Sequence, residues 1–192
     1  MAKKDIAAGA YSEAEEKLEK ALVYPENLGE GKLEGTKDNN LYYYLGLVKE
    51  ALGKEGAEEC FHLAELGDNE PAGAMYYYDQ PADMILYKGL AKQKLGKTKE
   101  AHACFNKLMD YGERHLNDVV KNDFFAVSLP DFLIFEDDMD KRNKAHCYYL
   151  MGLANLGMGQ KEKAVEEFDK ALEYDFNHQN CRIYKELAKG EL

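Results

Sequence analysis

The sequence predicts an all-α chain built from stacked helical hairpins, and two observations carry that prediction. The first is a template used three times. Gly46 is followed by Ala57, Phe61 and Ala64, Gly89 by Ala101, Phe105 and Leu108, and Gly152 by Ala164, Phe168 and Ala171. The Gly-to-Ala steps are 11, 12 and 12 residues, and Ala to Phe is 4 each time. A glycine inside a helix costs about 1 kcal/mol relative to alanine. Its recurrence at one template position asks for the close approach of a second helix, whose small alanine would meet it. The second observation is apolar spacing of three and four residues in each segment, with Gly53, Gly96 and Gly159 between segments as helix stops.

Taken in order, the chain opens on half a copy, residues 1–24. Gly9, Tyr11, Ala14, Leu18 and Ala21 match the turn and second helix alone. The missing first helix would lie before Met1, making the chain a piece of a longer protein; a short N-terminal helix is the alternative. The first full repeat, residues 40–66, reads as helices 40–52 and 55–66 around Gly53. The second, 82–111, reads as helices 82–95 and 98–111 around Gly96. The third, 141–174, reads as helices 145–158 and 161–174 around Gly159, with Tyr148, Met151, Gly152 and Asn155 on one face. Glu136, Asp137 and Asp138 suit a helix N-terminus, where they offset its dipole, and Asp140 reads as the cap. No calcium-loop spacing accompanies them. Asn177 reads as the cap of a closing helix over 177–189.

Template alanines stand at 14, 57, 101 and 164, so the steps are 43, 44 and 63 residues against about 34 in regular arrays. The excess forms connections 25–39, 67–81 and 112–140. The third holds Phe124, Phe125, Val127, Leu129, Phe132, Leu133, Ile134 and Phe135. It is expected to pack on the stack as an extra helix or extended segment.

These positions resemble the tetratricopeptide repeat. Tyr42, Leu45, Gly46, Ala57, Phe61 and Ala64 match its template with one residue deleted in the turn. Tyr148, Met151, Gly152, Ala164, Phe168 and Ala171 match it without a gap. The Gly89 copy is weaker, with Ile85 and Lys88 in place of a large aromatic and Leu. Phe176 stands where the repeat-ending proline is usual. The resemblance implies a right-handed solenoid of antiparallel helix pairs with long inter-repeat insertions, one domain over 1–192. More narrowly, PENLGEGKLEG, EPAGAMYYYDQP and DFFAVSLPDFLIFEDDMDKRN resemble the C-terminal repeat region of large bacterial proteins. Those proteins carry an uncharacterised, carbohydrate-related N-terminal domain. That likeness implies no catalytic residue within this chain.

Composition narrows the partners. At 192 residues the chain suits one domain, which buries roughly 70% of its unfolded surface. Its net charge of −11 repels phosphate, so nucleic acid and anionic membrane are excluded as partners. Cysteines 60, 104, 147 and 181 form no C-x-x-C pair or zinc spacing, and read as reduced thiols of a cytoplasmic chain. Cys60 and Cys104 each precede a template Phe and read as small buried hydrophobes. The start, MAKKDIAAGAYSEAEE, has no apolar run of signal-peptide length, and no stretch could span a bilayer. The five histidines lack metal-ligand spacing, neither serine sits in G-x-S-x-G, and no Gly-rich phosphate loop is present. No cofactor, metal site or catalytic residue is implied.

First helices line the concave face in the resembled family. By template position the groove residues are Asn40, Tyr43, Leu47 and Glu50, then Asp83, Leu86, Leu90 and Gln93, then His146, Tyr149, Leu153 and Leu156. Repeats of this family that clamp chaperone carboxylates carry Lys, Asn and Arg there; Tyr, Leu and Asp stand here instead, which rejects that role. A tyrosine-bearing apolar groove suits a peptide or helix with hydrophobic anchors. That partner could be the N-terminal part of the same parent protein. Equally, the insertions could cover this face and leave only internal packing. A second function class places a carbohydrate-related binding or catalytic site on Tyr76, Tyr77, Tyr78, Asp79 and segment 128–138, because aromatic, amide and carboxylate groups together hold sugars. Homo-oligomerisation through an open face over 9–24 is a further expectation.

Overall fold

The computed structural model describes residues 1–29, 31–32, 36–73, 80–120 and 138–190. Among them all regular structure is helical, as the apolar spacing predicts. Helix α1 (Ala2–Ala7) precedes α2 (Tyr11–Ala21), and a short 3-10 turn follows at Glu26–Leu28. Then come α3 (Asn39–Leu52), α4 (Ala57–Ala64), α5 (Asp83–Lys94), α6 (Thr98–His115), α7 (Met139–Gly157), α8 (Lys161–Tyr174) and α9 (Gln179–Lys189). Each helix packs on its sequence neighbour, and α3, α5, α7 and α9 also pack one on the next. That is a two-layer helical-repeat array of the tetratricopeptide type, with odd-numbered helices in the inner row.

The hairpins close where the template places its glycines, through a contact the sequence reading assigned differently. The phenyl ring of the second helix, not its alanine, lies on the glycine. A Cβ built on Gly46 would fall 2.6 Å from Phe61 Cε1, and those on Gly89 and Gly152 would meet the rings of Phe105 and Phe168 closer still. Phe105 and Phe168 are wholly buried, and Ala101, Ala164 and Ala171 are wholly buried beside them. Gly157, which the template does not mark, also meets the Phe105 ring, so that ring is contacted by glycines of two successive hairpins. Gly112 of α6 likewise sits against α7, where a Cβ would lie 2.8 Å from the Cys147 carbonyl oxygen.

Lys88 fills the weak template position of the second repeat. Its stem is buried while its ammonium donates to the Gly67 carbonyl at 2.5 Å, so a long polar side chain serves where leucine is usual.

Several boundaries depart from the sequence reading. Helix α6 continues to His115 and α7 begins at Met139, so both flanks of the long connection are helical. Asp138, not Asp140, caps α7 by accepting from the Lys141 N–H at 3.0 Å, while Asp140 accepts from the Val120 N–H. His178, not Asn177, caps α9: its Nδ1 accepts from the Cys181 N–H at 3.1 Å. Gly53 ends α3 as expected, in the left-handed region at φ +64. Asn39 opens α3 and donates to the carbonyls of Ala64 and Leu66, both at 2.7 Å, so it also satisfies the end of α4.

The half copy at the start has a partner. Six-residue α1 stands in the first-helix place and packs on α2. Ala14 and Leu18 are buried with Leu45 and Val48 of α3, so the face expected to lie open is partly covered, with Ala21, Val23 and Tyr24 left exposed. The apolar run 124–135 lies outside the described residues.

Gly152→Leu should therefore wedge α7 from α8 and lower the unfolding free energy by about 1–3 kcal/mol or more. Urea denaturation reads this directly, and equal stability of variant and parent would refute the ring-on-glycine contact.

Candidate functional site

The inner row of helices is lined with tyrosine, and the rings meet one another across repeats. Tyr43 and Tyr44 of α3 touch at 5.5 Å between centroids, and Tyr87 of α5 lies 5.8 and 5.6 Å from them. Tyr184 of α9 lies 6.3 Å from Tyr87 and 6.0 Å from Tyr149 of α7. Such edge and tilted pairs are favourable beyond simple burial.

A polar relay runs through this aromatic wall. Lys3 of α1 donates to the Tyr87 hydroxyl at 3.0 Å. The hydroxyls of Tyr87 and Tyr184 are 3.0 Å apart, and Tyr184 is 3.0 Å from Asp83 Oδ2. Tyr184 has one hydroxyl proton, which the Asp83 carboxylate takes, so Tyr87 supplies the proton between the two phenols. Lys3 also lies over the rings of Tyr44 and Tyr184, at 5.1 and 5.0 Å. Burial pushes Asp83 above the usual carboxylate range, opposed by the Tyr184 hydrogen bond and by Lys3. Burial pulls Lys3 below the usual lysine range, opposed by Asp83. Burial holds Tyr87, Tyr149 and Tyr184 well above the ordinary phenol value. The three phenols therefore stay neutral near neutral pH. Through Lys3 the first helix reaches the last, and the array closes on itself.

One cavity of about 550 Å³ remains beside this closure, within the range of roughly 300–1,000 Å³ typical of ligand sites. Its walls include Lys3 from α1, Leu18 and Ala21 from α2, Leu41 and Tyr44 from α3, and Ile183 from α9.

The groove residues of the sequence reading are placed as follows. Leu86, His146, Tyr149 and Leu153 are buried. Tyr43 is enclosed by Tyr44, Phe61 and Tyr87. Leu47 packs with Phe61, Ala64 and Ala91, and Leu90 and Leu156 pack on the main core. Glu50 pairs with Lys94 of α5 at 2.5 Å, and Gln93 donates to the Gly157 carbonyl at 3.3 Å. Leu86, His146, Tyr149 and Leu153 are thus taken up by packing between repeats, whereas Tyr43, Leu47, Leu90 and Leu156 are half-buried and Glu50 and Gln93 exposed. Asn40 does line the cavity. Ala72 also reaches the inner row, its carbonyl accepting from His146 Nε2 at 2.8 Å. Tyr76, Tyr77, Tyr78, Asp79 and residues 128–137 lie outside the described residues.

Sequence reasoning missed Lys3, Lys17, Lys20 and Ile183. The lysines enter from α1 and α2, which have no groove position in the half-copy register. The available signal was their spacing on the apolar face of α2 beside Leu18 and Ala21.

Cys60, Cys104, Cys147 and Cys181 are all buried free thiols, and burial pushes Cys147 and Cys181 up to about 12. Such thiols pack and do not react. His62 and His102 face outward, as the template places them. Among the described residues no cluster of three or more His, Cys, Asp or Glu could hold a metal ion. No described helix is long and apolar enough to cross a membrane.

The tetratricopeptide repeat profile matches residues 145–178, which is the third copy from within α7 to His178. A repeat of this kind supports a protein-interaction module. No solved structure matches the chain.

Two outcomes follow from these contacts. Burial pushes His146 down to about 4 in the folded chain, partly offset by the Ala72 hydrogen bond. The unfolded chain takes up a proton that the folded chain refuses, so stability present above about pH 6.5 is lost as pH falls towards about 4. Urea titrations from about pH 7.5 to about 4.5 should show roughly 2–3 kcal/mol more loss in the parent than in His146→Gln. Parallel curves would mean that His146 is solvated. Separately, α1 has no fully buried residue, so Lys3→Ala should free it. The amides of Ala8 and Ala10, bonded to α1 carbonyls, should exchange about tenfold faster while those of α7 and α8 hold. Unchanged protection at Ala8 and Ala10 would show that Lys3 does not hold the first helix.

Proposed function

We propose that this chain is a non-catalytic module that binds a protein or peptide segment as part of a larger bacterial protein in the cytoplasm. The N-terminal part of that parent is one candidate partner. The cavity between α1, α2, α3 and α9 carries the proposal. Several inner-row positions that would bind a partner in an open array, Leu86, Tyr149 and Leu153 among them, are buried between repeats, whereas this cavity has apolar walls open to a ligand. Leu18, Ala21, Leu41 and Ile183 offer burial to hydrophobic anchors, and each anchoring side chain of Leu or Phe size contributes about 1.5–3 kcal/mol when fully buried. Tyr44 adds a rigid aromatic wall with little entropy to lose. The repeat match at 145–178 supports the same class of role.

Ala21 is exposed and lines the cavity, so Ala21→Trp fills its mouth without touching the core. Peptides selected from a randomised display library on the intact chain should bind this variant at least about tenfold more weakly than the parent, a difference of about 1.4 kcal/mol. Equal binding to both would sink the assignment of the cavity.

A further inference from the structure

We infer that the cavity selects a peptide whose apolar anchors are flanked by carboxylates, an inference that rests on the binding function proposed above. The charged side chains that line it are Lys3, Lys17 and Lys20, with no Asp or Glu among them. That runs against the chain as a whole, which has 36 acidic and 25 basic residues. Lys17 and Lys20 are one turn apart on α2 and share a face with Leu18 and Ala21. The apolar floor thus carries cations along one side.

The three ammonium groups differ in availability. Lys3 is committed to Tyr87 and its neighbouring rings. Lys17 pairs with Asp5 at 2.6 Å. Lys20 pairs with Glu16 one turn away, but its side chain is 74% exposed and that of Glu16 67%. Exposed pairs of this kind hold weakly and exchange with solvent. A partner carboxylate therefore meets Lys20 first and Lys17 beside it. Burying an anchor residue next to them displaces water and strengthens the attraction. A basic segment would bring like charges to the same rim and be rejected. The mouth is ringed by exposed Met1, Lys20 and Ala21, which suits a chain laid across the surface with its anchors turned inward.

The test is the composition of peptides enriched from a fully randomised display library on the intact chain, followed by binding to variants. Enriched sequences should combine Leu, Ile, Phe or Met with an excess of Asp and Glu. They should bind Lys20→Glu about tenfold more weakly, and lose affinity between about 50 mM and about 500 mM salt. Lys17→Gln supplies a second variant, and an unchanged melting temperature confirms that each still folds. Neutral or basic enriched peptides that Ala21→Trp still blocks would overturn the charge selection and leave the binding function standing. A library that yields no enrichment would overturn the binding function itself. Binding of dodecanoate without any enriched peptide would do the same, assigning the cavity to a small amphiphile.

Discussion

A phenyl ring seated on a helical glycine holds each of the three full hairpins of this protein together. Gly46 with Phe61, Gly89 with Phe105 and Gly152 with Phe168 repeat the contact. The glycine is unfavourable for its own helix by about 1 kcal/mol, and burial of the ring outweighs that penalty. Because the ring replaces a methyl group, hairpin spacing is set by a flat surface. Gly157 applies the same device between hairpins, packing on the same Phe105 ring. The stack is thus built from one contact used both within and between repeats, which is why successive units share a continuous core.

Close stacking determines what becomes of the inner row. In an open array the first helices present side chains to a partner. Here Tyr43, Tyr44, Tyr87, Tyr149 and Tyr184 spend those side chains on one another. Their hydroxyls require partners when buried. Lys3 and Asp83 supply the two ends of the Tyr87–Tyr184 relay. The consequence is mechanical as well as electrostatic, since Lys3 ties the opening helix to the closing one. A cavity remains beside that tie.

The legible part of the sequence was the part written in local spacing. The three template copies located six helices, and Gly53 marked a stop that the backbone confirms at positive φ. The burial of Cys60 and Cys104 also followed from their places just before the template Phe. Cap assignments missed by one or two residues, because acidic and amide side chains crowd both termini and the choice depends on backbone direction. The candidate site was less legible. Position in a repeat says which way a side chain points, but not how far the next helix lies, so Leu86, Tyr149 and Leu153 read as groove residues and are core. Sequence reasoning does not single out Lys17 and Lys20, since nothing local announces that Ile183 of α9 lines the same space.

The amino-acid sequence by itself determined the all-helical class, the hairpin as the repeating unit and the residues at its centre. Those depend on periodicity and on side-chain volume, which are properties of contiguous segments. Tertiary structure alone decided that α1 meets α9, that the tyrosines fill the inner face, and that a lysine-rimmed cavity remains. Those depend on contacts between residues far apart in the chain, such as Gly112 with Cys147, Gly157 with Phe105 and the Ala72 carbonyl with His146. Small changes in approach at each interface add along the stack, so the ends are placed by the sum and by no single segment.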